Sequence, residues 1–531
     1  MAIALHQLAI EAAGQRPEGE AVRCGNEALR WAELVLNSNG MAHALNGFGL
    51  KRGDRVAVFL TKSLRVPVAF YGVFAAGGAL VPIDPKTPID QAVRILRRTG
   101  ARFLVSEVSR TSVVTSLLAA CPEIKYVLGL NCDMPAGVNS APWSTVDELA
   151  SYSGPDLRIG SLDNSYIMHT SGSTGEPKLI CHTHSSAIAF AEWSAREYGL
   201  TCDDRLSNHS SHHTCFATFD FYAAARAAAA TVLLPPAAMM MPASLAELLE
   251  RECITVWYSV PTALVQLLLQ GNLAERNLNA LRWVLFAGEV FPDKHLRALC
   301  AILDHARFSQ VYGSTEVNVC TYYHLPANGA FPNPLPIGQP CAGDRALVVN
   351  ETLDRVSCSE AGELLISGAT VMTGYWGDPE RNGRAFVSRS EPGGFEARWF
   401  RTGDQVKQDD DGNLIFAGRT DYQVKVRGFR VELEEIESAL LSINSVREAV
   451  ALAMNGEDGD AQLCAVIVCD PLVEITERDL RSNLQHTLPP YAIPSELHLA
   501  SSLPRTPTGK IDRKALTLRY EQKTEEWNQS A

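Results

Sequence analysis

The sequence lacks several features that would place it in a well-marked class of protein. Its thirteen cysteines include no CxxC pair, which argues against a disulfide framework and against a zinc site of that spacing. It has no long basic run and its net charge is −13, which argues against nucleic-acid binding through neutralised phosphates. Scattered cysteines in odd number are typical of reduced thiols, so we expect a cytoplasmic protein.

Patterns that would indicate a membrane are also missing. The N-terminus has no basic start followed by an apolar core, so it predicts an amphipathic helix and not a signal peptide. The most apolar stretch, residues 223–241, is interrupted by Arg226, Pro235 and Pro236. A bilayer span needs about 20 mostly apolar residues in a row. We therefore expect neither a membrane partner nor a nucleic-acid partner.

Short apolar runs alternate with helical patterns over the first four hundred residues. Residues 55–60, 101–106, 254–260 and 281–287 predict strands, and residues 66–76 predict a helix. Such alternation is typical of an α/β fold with buried, largely parallel sheets. A chain of 531 residues is also too long for one ordinary core, so at least two domains are expected.

The character of the chain changes near residue 418. A charged segment follows, then a predicted helix over about 432–441, a strand pair and a Pro-rich stretch. About a hundred residues suffice for a small α+β domain. We predict an N-terminal core domain over 1–418, a C-terminal domain over 419–518 and a polar tail over 519–531.

A segment rich in glycine and hydroxyl residues follows a predicted strand at 165–168. Glycine lets backbone N–H groups approach a polyphosphate, hydroxyls donate hydrogen bonds, and a terminal lysine supplies positive charge. The alternative is a flexible polar turn. The candidate phosphate-binding residues are Thr170, Ser171, Gly172, Ser173, Thr174, Gly175 and Lys178.

Three further clusters carry chemistry only in combination. The run from Tyr312 to Glu316 could stack a base, contact phosphate and hold Mg²⁺, because magnesium prefers one or two carboxylates with phosphate oxygens. Asp404 on a glycine turn suits ribose hydroxyls, and Lys510 lies on a loop shaped by proline and glycine. Taken alone, the first is equally well an ordinary strand end, the second a common turn and the third a surface lysine.

Together and in this order, these segments resemble the adenylate-forming family, which includes acyl-CoA synthetases, firefly-type luciferases and adenylation domains of nonribosomal peptide synthetases. The resemblance covers about residues 10–518, and the segments at 418–432 and 506–513 resemble the amino-acid-adenylating members. It implies an α/β fold with a large multi-sheet N-terminal domain and a small, mobile α+β C-terminal domain. Ser314 replaces the proline usual in that branch, and His169 replaces a frequent tyrosine.

The resemblance also implies ATP and Mg²⁺ as cofactors and assigns roles to individual residues. Lys510 would bridge the substrate carboxylate and the α-phosphate, Thr315 would contact phosphate, Glu316 would bind the metal, and Asp421 would be the hinge. The residues implied for adenine and ribose are Gly288, Gln310, Tyr312, Asp404, Phe416 and Arg419.

In this resemblance Asp220 matches the position at which an aspartate pairs with the substrate ammonium. A buried carboxylate is costly unless a cation meets it, although a structural aspartate is the alternative. The other pocket positions are apolar or weakly polar, which argues against charged substrate side chains. They are Phe219, Phe221, Ala224, Tyr258, Leu285, Ala287, Val311, Val319 and Cys320.

This pocket resembles that of prolyl-carrier ligases, so L-proline is the first expectation, with alanine, valine or a β-amino acid as close competitors. The implied reaction forms an aminoacyl adenylate and pyrophosphate, then a thioester on the phosphopantetheine of a separate carrier protein. A separate carrier is expected because no carrier segment follows Lys510. The alternatives are a fatty or aryl acid–CoA ligase, a non-catalytic adenylate-binding protein and a luciferase-like oxidase.

Overall fold

The structure is a computed structural model. It describes residues 2–132, 134–170, 172, 176–327, 329–358, 360–391, 393–419, 423–455, 461–470, 473, 475–505 and 511–521. Over these ranges, no helix is both long enough and apolar enough to cross a membrane.

The strands of the described ranges are short, most of them four to seven residues long. In chain order they are β1 (Glu20–Cys24), β2 (Glu27–Arg30), β3 (Arg55–Val58), β4 (Ala79–Pro82), β5 (Phe103–Val105), β6 (Tyr126–Leu128), β7 (Asn139–Ala141), β8 (Asn164–Thr170), β9 (Lys178–Thr183), β10 (Arg205–Asn208), β11 (Ala230–Leu233), β12 (Val256–Ser259), β13 (Trp283–Phe286), β14 (Arg307–Ser314), β15 (Asn318–His324), β16 (Gln339–Pro340), β17 (Asp344–Val349), β18 (Gly362–Gly368), β19 (Gly374–Tyr375), β20 (Phe386–Glu391), β21 (Phe395–Gln408), β22 (Leu414–Arg419), β23 (Gln423–Val426), β24 (Phe429–Glu432), β25 (Val446–Asn455), β26 (Ala461–Cys469) and β27 (Glu496–Leu499).

Helices connect and cover these strands. They are α1 (His6–Gln15), α2 (Trp31–Gly47), α3 (Arg65–Ala75), α4 (Ile89–Thr99), α5 (Thr111–Ala120), α6 (Trp143–Glu148), α7 (His184–Glu197), α8 (Phe216–Thr218), α9 (Ala224–Ala227), α10 (Pro236–Met239), α11 (Pro242–Arg251), α12 (Pro261–Gln270), α13 (Asp293–Ile302), α14 (Pro379–Ala385), α15 (Leu433–Leu441), α16 (Glu477–Thr487) and α17 (Arg513–Glu521). A π-helical turn, Phe219–Ala223, joins α8 to α9.

Three sheets build the larger part of the molecule. The first has the order β16-β15-β14-β13-β12-β10-β11-β1-β2, and the second has the order β19-β9-β8-β4-β3-β5-β6-β7. The third has the order β17-β18-β21-β20, with β22 paired to β21. The central strands of the first two sheets are parallel and nearly wholly buried, as expected where helices cover both faces.

The remaining strands form a hairpin, β23–β24, and a small sheet of the order β25-β26-β27. Two apolar clusters in this part are built from residues after 423, around Ile436 and Leu480 in one and Val450 and Leu516 in the other. The predicted α/β fold with a smaller C-terminal part is confirmed. The exact boundary at residue 418 stays a prediction.

The strands and helices predicted from periodicity are confirmed, with ends that shift by at most two residues. The segment 101–106 gives a strand only at Phe103–Val105, and the helix predicted over 66–76 runs over Arg65–Ala75. Local capping fixes some of these ends. Thr183 Oγ1 accepts a hydrogen bond from the backbone N–H of Ser186 at 3.1 Å, which starts α7 directly after β9.

Candidate active site

A cavity opens where the carboxyl ends of β8, β13 and β14 meet the hairpin β23–β24. It encloses about 820 Å³ of space between atoms, including the part that opens to solvent. Crevices at the carboxyl ends of parallel strands are common ligand sites, because loops from several strands converge there. Residues of both the larger part and the C-terminal part line it, among them Thr170, Gly288, Thr315, Gly428 and Tyr491.

One end of the site holds the residues predicted to bind adenine and ribose. Asp404 is buried and accepts hydrogen bonds from the Tyr312 hydroxyl and from the Arg419 guanidinium. Phe416 packs in the same apolar cluster as Tyr312, and Gly288 lines the cavity itself. Gln310 lies two residues before Tyr312 on β14 and is not among the described lining residues. The structure thus brings Tyr312, Asp404, Arg419 and Phe416 together, whereas Gly288 is the one residue of the predicted set among the described lining residues.

The predicted phosphate-binding residues flank a tight strand pair. Thr170 ends β8 and stands opposite Lys178, which begins β9. The Thr170 Oγ1 atom is buried and has no hydrogen-bond partner among the described residues, as a group kept for a ligand would. The carbonyl oxygen of Thr315 lies 2.8 Å from His182 Nε2, which fixes this cavity-lining turn.

Both charged residues of the predicted phosphate and metal sites are paired with the hairpin β23–β24. Lys178 Nζ donates to the Glu432 carboxylate, and Arg430 Nη1 donates to both oxygens of Glu316 at 2.7 and 2.9 Å. Burial acts to raise the pKa of Glu316, but the charges of Arg430 and Lys178 outweigh it and lower that pKa to about 2. Glu316 is therefore an ionised carboxylate that is completely buried.

The tip of the hairpin reaches the site through a glycine. Gly428 has a positive φ of 79°, and a Cβ there would lie 2.4 Å from Val260 Cγ1, so only glycine fits without displacement. Its N–H donates to Glu289 Oε1 at 2.7 Å, while Glu289 Oε2 accepts from Thr262 Oγ1 at the same distance. The backbone of the C-terminal part is thereby held against the larger part, directly beside the cavity.

The predicted substrate residues divide between different surroundings. Most of them pack in one apolar cluster, where the Tyr258 ring lies 5.3 Å from that of Phe219 and 4.7 Å from that of Phe216. Cys320 packs beneath Tyr312, and Phe221 packs in a separate core against Phe70. The residues in the shared cluster are Phe219, Ala224, Tyr258, Leu285, Ala287, Val311 and Val319. Of these, Tyr258, Ala287 and Val319 line the cavity.

Asp220 follows Phe219 in the π-helical turn. Only 1% of its surface is exposed, and it is not among the described lining residues. Asn208 Nδ2 donates to its Oδ2 at 2.8 Å, whereas its Oδ1 has no partner among the described residues. Burial raises the pKa of Asp220 to about 8, against the opposing effects of Asn208 and Lys62. Its pairing with a substrate ammonium stays a prediction.

Lys62 is a half-buried lysine near Asp220 that the sequence analysis missed. Its Nζ donates to the carbonyl oxygens of Asn208 and His209 at 2.8 and 2.9 Å, so it anchors the strand end that holds Asp220. Burial lowers the pKa of Lys62 to about 7. In the sequence it is a single lysine between the apolar runs 56–60 and 66–76. That position alone does not distinguish a lysine in the interior from one at the surface.

Arg430 and Glu432 were also missed, since charges at alternate positions of 418–432 suggest a solvated strand. Their partners Glu316 and Lys178 lie more than a hundred residues away in the chain, so no local pattern reveals the pairing.

Several predicted residues lie outside the described residues. They are Lys510, the hinge residue Asp421, and Ser171, Ser173, Thr174 and Gly175 of the phosphate segment. The roles of all six stay predictions. On either side of Lys510, Arg505 Nη2 donates to Glu448 at 2.6 Å and Arg513 Nη1 donates to the Ala451 carbonyl oxygen at 2.8 Å, both partners lying on β25.

Comparison with known proteins decides the family. Residues 10–376 match the model of the AMP-binding enzymes, and residues 435–510 match that of the AMP-binding enzyme C-terminal domain. The chain belongs to the AMP-binding enzymes. It is 32% identical to an L-proline–[L-prolyl-carrier protein] ligase of Pseudomonas fluorescens, over 97% of this chain and 99% of that protein. A ligase of the same name from Streptomyces coelicolor is 33% identical over 93% of this chain and 92% of that protein.

Solved structures show the same fold at lower identity. The amide bond synthetase McbA of Marinactinospora thermotolerans superimposes with a TM-score of 0.85 at 22% identity, covering 97% of this chain and 99% of its own. The Vibrio cholerae adenylation domain AlmE, in complex with glycyl-adenosine-5'-phosphate, gives 0.83 at 23% identity and covers 98% of both chains. This AMP-binding enzyme is an AMP-forming ligase that uses ATP.

Proposed function

We propose that this ligase converts a small apolar amino acid, with L-proline as the first candidate, into an aminoacyl adenylate and then into a thioester on the phosphopantetheine of a carrier protein. The observation that carries the proposal is the cavity itself. It is lined by Gly288 of the residues proposed for adenine, by Thr170 and Thr315 of those proposed for phosphate, and by the uncharged Tyr258, Ala287 and Val319.

The charges of the site suit the first step. A carboxylate is a poor electrophile, and its attack on the α-phosphate of ATP brings two anions together. Cationic stabilisation of the transition state is therefore the largest requirement. Lys178, which stands opposite Thr170 at the start of β9, would meet the phosphates, and Lys510 would bridge the two reacting anions. Closure of the C-terminal part would also exclude water from the hydrolysable anhydride.

One buried carboxylate of the described residues fits Mg²⁺. The described residues contain no group of three side chains that could hold a metal by themselves. Magnesium needs only one or two carboxylates when phosphates supply the other oxygens. Glu316 is such a carboxylate, buried and ionised, and it would hold the ion against the phosphates of ATP. When bound, the ion would neutralise phosphate charge.

The described pose of the hairpin fits the second step better than the first. Glu432 forms an ion pair with Lys178, and Arg430 forms one with Glu316. The groups proposed for phosphate and metal are therefore already paired with residues of opposite charge. We infer that ATP and Mg²⁺ displace the hairpin, and that it returns after pyrophosphate leaves. Lys510 and the hairpin would then serve the two steps in different poses of the C-terminal part.

The choice of amino acid rests on two observations. Two relatives that match nearly the whole chain are named as L-proline ligases, and Tyr258, Ala287 and Val319 of the pocket wall carry no charge that would pair with a charged side chain. Apolar pockets discriminate one methylene by only about 1–3 kcal/mol, so alanine, valine and β-amino acids remain the nearest competitors.

One observation favours a second candidate, an acid without an ammonium group, such as an aryl acid. None of the described residues that line the cavity is acidic, and Asp220 is buried and is not one of them. An ammonium in the cavity would then lack a carboxylate partner among the described lining residues. A coenzyme A or carrier thiol could follow in either case.

The test is ATP–pyrophosphate exchange with a panel of acids, comprising proline, alanine, valine, a β-amino acid, benzoate and octanoate. We expect proline to give the highest specificity constant, and Lys510→Ala to lose the exchange with every acid. Activity with benzoate or octanoate above all amines would replace the amino-acid proposal by the second candidate. No exchange with any acid would overturn both.

A further inference from the structure

A second polar cluster lies in the wall of the same cavity and has no part in the contacts described above. Ser211 Oγ donates to Asp84 Oδ2 at 2.8 Å and lies 2.8 Å from His213 Nδ1. The distance from His213 Nδ1 to Asp84 Oδ2 is 3.3 Å. His213 lines the cavity, whereas Asp84 and Ser211 stand behind it. A serine, a histidine and an aspartate from two separate loops therefore meet at one point.

The hydrogen bonds of this cluster fix the tautomer of His213. The Ser211 hydroxyl donates its one hydrogen to Asp84. Towards the imidazole of His213, Ser211 Oγ can therefore only be a hydrogen-bond acceptor. Nδ1 must then carry the hydrogen, which the nearby Asp84 carboxylate also favours. This leaves Nε2 with a free lone pair, in a ring that lines the cavity. A neutral histidine with Nδ1 anchored by a carboxylate network is the usual form of a general base.

The surroundings keep His213 neutral and able to accept a proton. Burial lowers the pKa of His213, and the Asp84 carboxylate opposes that effect. The stacked ring of His169, 5.6 Å away, is neutral because burial lowers its pKa to about 3, and the pKa of neighbouring His212 is likewise about 3. The other titratable groups that line this cavity are Cys215, Tyr258, Lys425, Arg430 and Tyr491.

His213 also lies where the second step needs a base. Its ring stacks at 6.4 Å on Phe429, next to the hairpin tip at Gly428, and the same cavity is lined by Thr315 and Tyr258 of the nucleotide and acyl sides. A free thiol has a pKa of about 8.5, so only a few per cent is thiolate at pH 7. A base beside the acyl group therefore has a specific task in the transfer and none in adenylation, where the substrate is already an anion.

We propose that His213 is the general base of the transfer step, with Ser211 and Asp84 as its positioning residues. The proposal rests on the proposed function. His213 Nε2 takes the proton of the phosphopantetheine thiol, and the sulfur attacks the acyl carbon of the adenylate. The bond between that carbon and the phosphate oxygen breaks, and AMP leaves with the bonding electron pair. The imidazolium then returns its proton to solvent.

The test separates the two steps in His213→Gln. The enzyme is first loaded with ATP, Mg²⁺ and the best acid of the exchange panel, and the purified adenylate complex is then mixed with pantetheine from pH 6 to 9. At pH 7 we expect transfer to fall by roughly 10²–10³-fold, while pyrophosphate exchange stays within about twofold of the wild type. The variant's deficit should shrink as pH rises, because solvent then supplies the thiolate.

Further variants distinguish a catalytic role from a structural one. In His213→Ala, added imidazole should restore part of the transfer rate, and Ser211→Ala should lose less than His213→Gln because its base remains. The matched control is His43→Gln, an exposed histidine bonded to the Ser153 carbonyl oxygen, which should leave both steps unchanged.

Two outcomes would overturn the assignment. One is an unchanged transfer rate and pH dependence in His213→Gln. The other is an equal fall of both steps in His213→Ala without imidazole rescue. A wild-type enzyme that forms the adenylate but never a thioester would instead overturn the proposed transfer function, and this proposal with it.

Discussion

The residues on the phosphate side and on the acyl side of the site differ in their ionisation. On the phosphate side Lys178 and Glu316 are each paired with a residue of opposite charge from the hairpin, namely Glu432 and Arg430. On the acyl side Asp220 keeps one oxygen without a described partner, and its pKa is raised to about 8. One side is ionised and satisfied, while the other is largely neutral. A ligand can bind the ionised residues only by replacing the side chains that are already paired with them. On the neutral side, the ligand itself must bring the charge that ionises its partner.

The largest expected effect is on the ionised side. Glu316→Gln removes the buried carboxylate proposed for the metal and leaves Arg430 without its strongest acceptor. We expect pyrophosphate exchange to fall by roughly 10²–10³-fold, the size seen when one electrostatic group of a transition state is removed. Measuring exchange at several Mg²⁺ concentrations tests this. The control Glu434→Gln changes an exposed carboxylate on α15 and should have no effect. Wild-type exchange in Glu316→Gln would contradict the metal assignment.

A second prediction concerns the neutral side. If a substrate ammonium pairs with Asp220, binding must ionise a carboxyl that is protonated below about pH 8, so one proton is released on binding. KM for proline should therefore fall as pH rises from 6 to 8, by up to about tenfold per pH unit. Asp220→Asn should abolish this dependence and raise KM by roughly 10²-fold, since a charged hydrogen bond is lost.

The same experiment can show that Asp220 is only structural. In that case Asp220→Asn would leave KM and its pH dependence as in the wild type, and stability alone would change. Thermal unfolding measured beside the kinetics separates the two results. A structural Asp220 would favour the second candidate function, an acid without an ammonium group.

The smallest expected effect concerns the proposed competition between Glu432 and the phosphates of ATP for Lys178. Glu432→Gln keeps the hydrogen bond to Lys178 but removes the negative charge that competes with phosphate. We expect KM for ATP to fall by about three- to tenfold, which corresponds to about 0.7–1.4 kcal/mol, because phosphate then competes with a neutral amide and not with a carboxylate for Lys178. Transfer to pantetheine should slow, because the hairpin is held less firmly. Glu434→Gln again serves as the control. An unchanged KM for ATP would mean that the hairpin does not compete with the nucleotide.

The sequence predicts the local parts of this enzyme well. Segments such as Arg55–Val58 and Arg65–Ala75 follow from periodicity, because a buried strand and a covering helix each leave a pattern within a few residues. Tyr312, Asp404 and Arg419 are likewise found from family segments, and the structure brings them together.

What the sequence does not reveal depends on contacts between distant residues. Lys178 with Glu432, Arg430 with Glu316, and His213 with Asp84 are each separated by more than a hundred residues. The direction of the Asp220 side chain could not be predicted from the sequence either, because Asp220 lies in a π-helical turn, where α-helical spacing does not apply. Phe221 consequently packs against Phe70 and not with Tyr258.

The most direct test of the central claim, that one cavity forms an adenylate and then a thioester, is mass spectrometry of a single turnover. The enzyme is mixed with ATP, Mg²⁺ and proline, and pantetheine is added after the adenylate has formed. We predict prolyl adenylate first, followed by its loss in step with the appearance of prolyl pantetheine and AMP. Persistent prolyl adenylate without a thioester, or no adenylate from any acid of the panel, would contradict it.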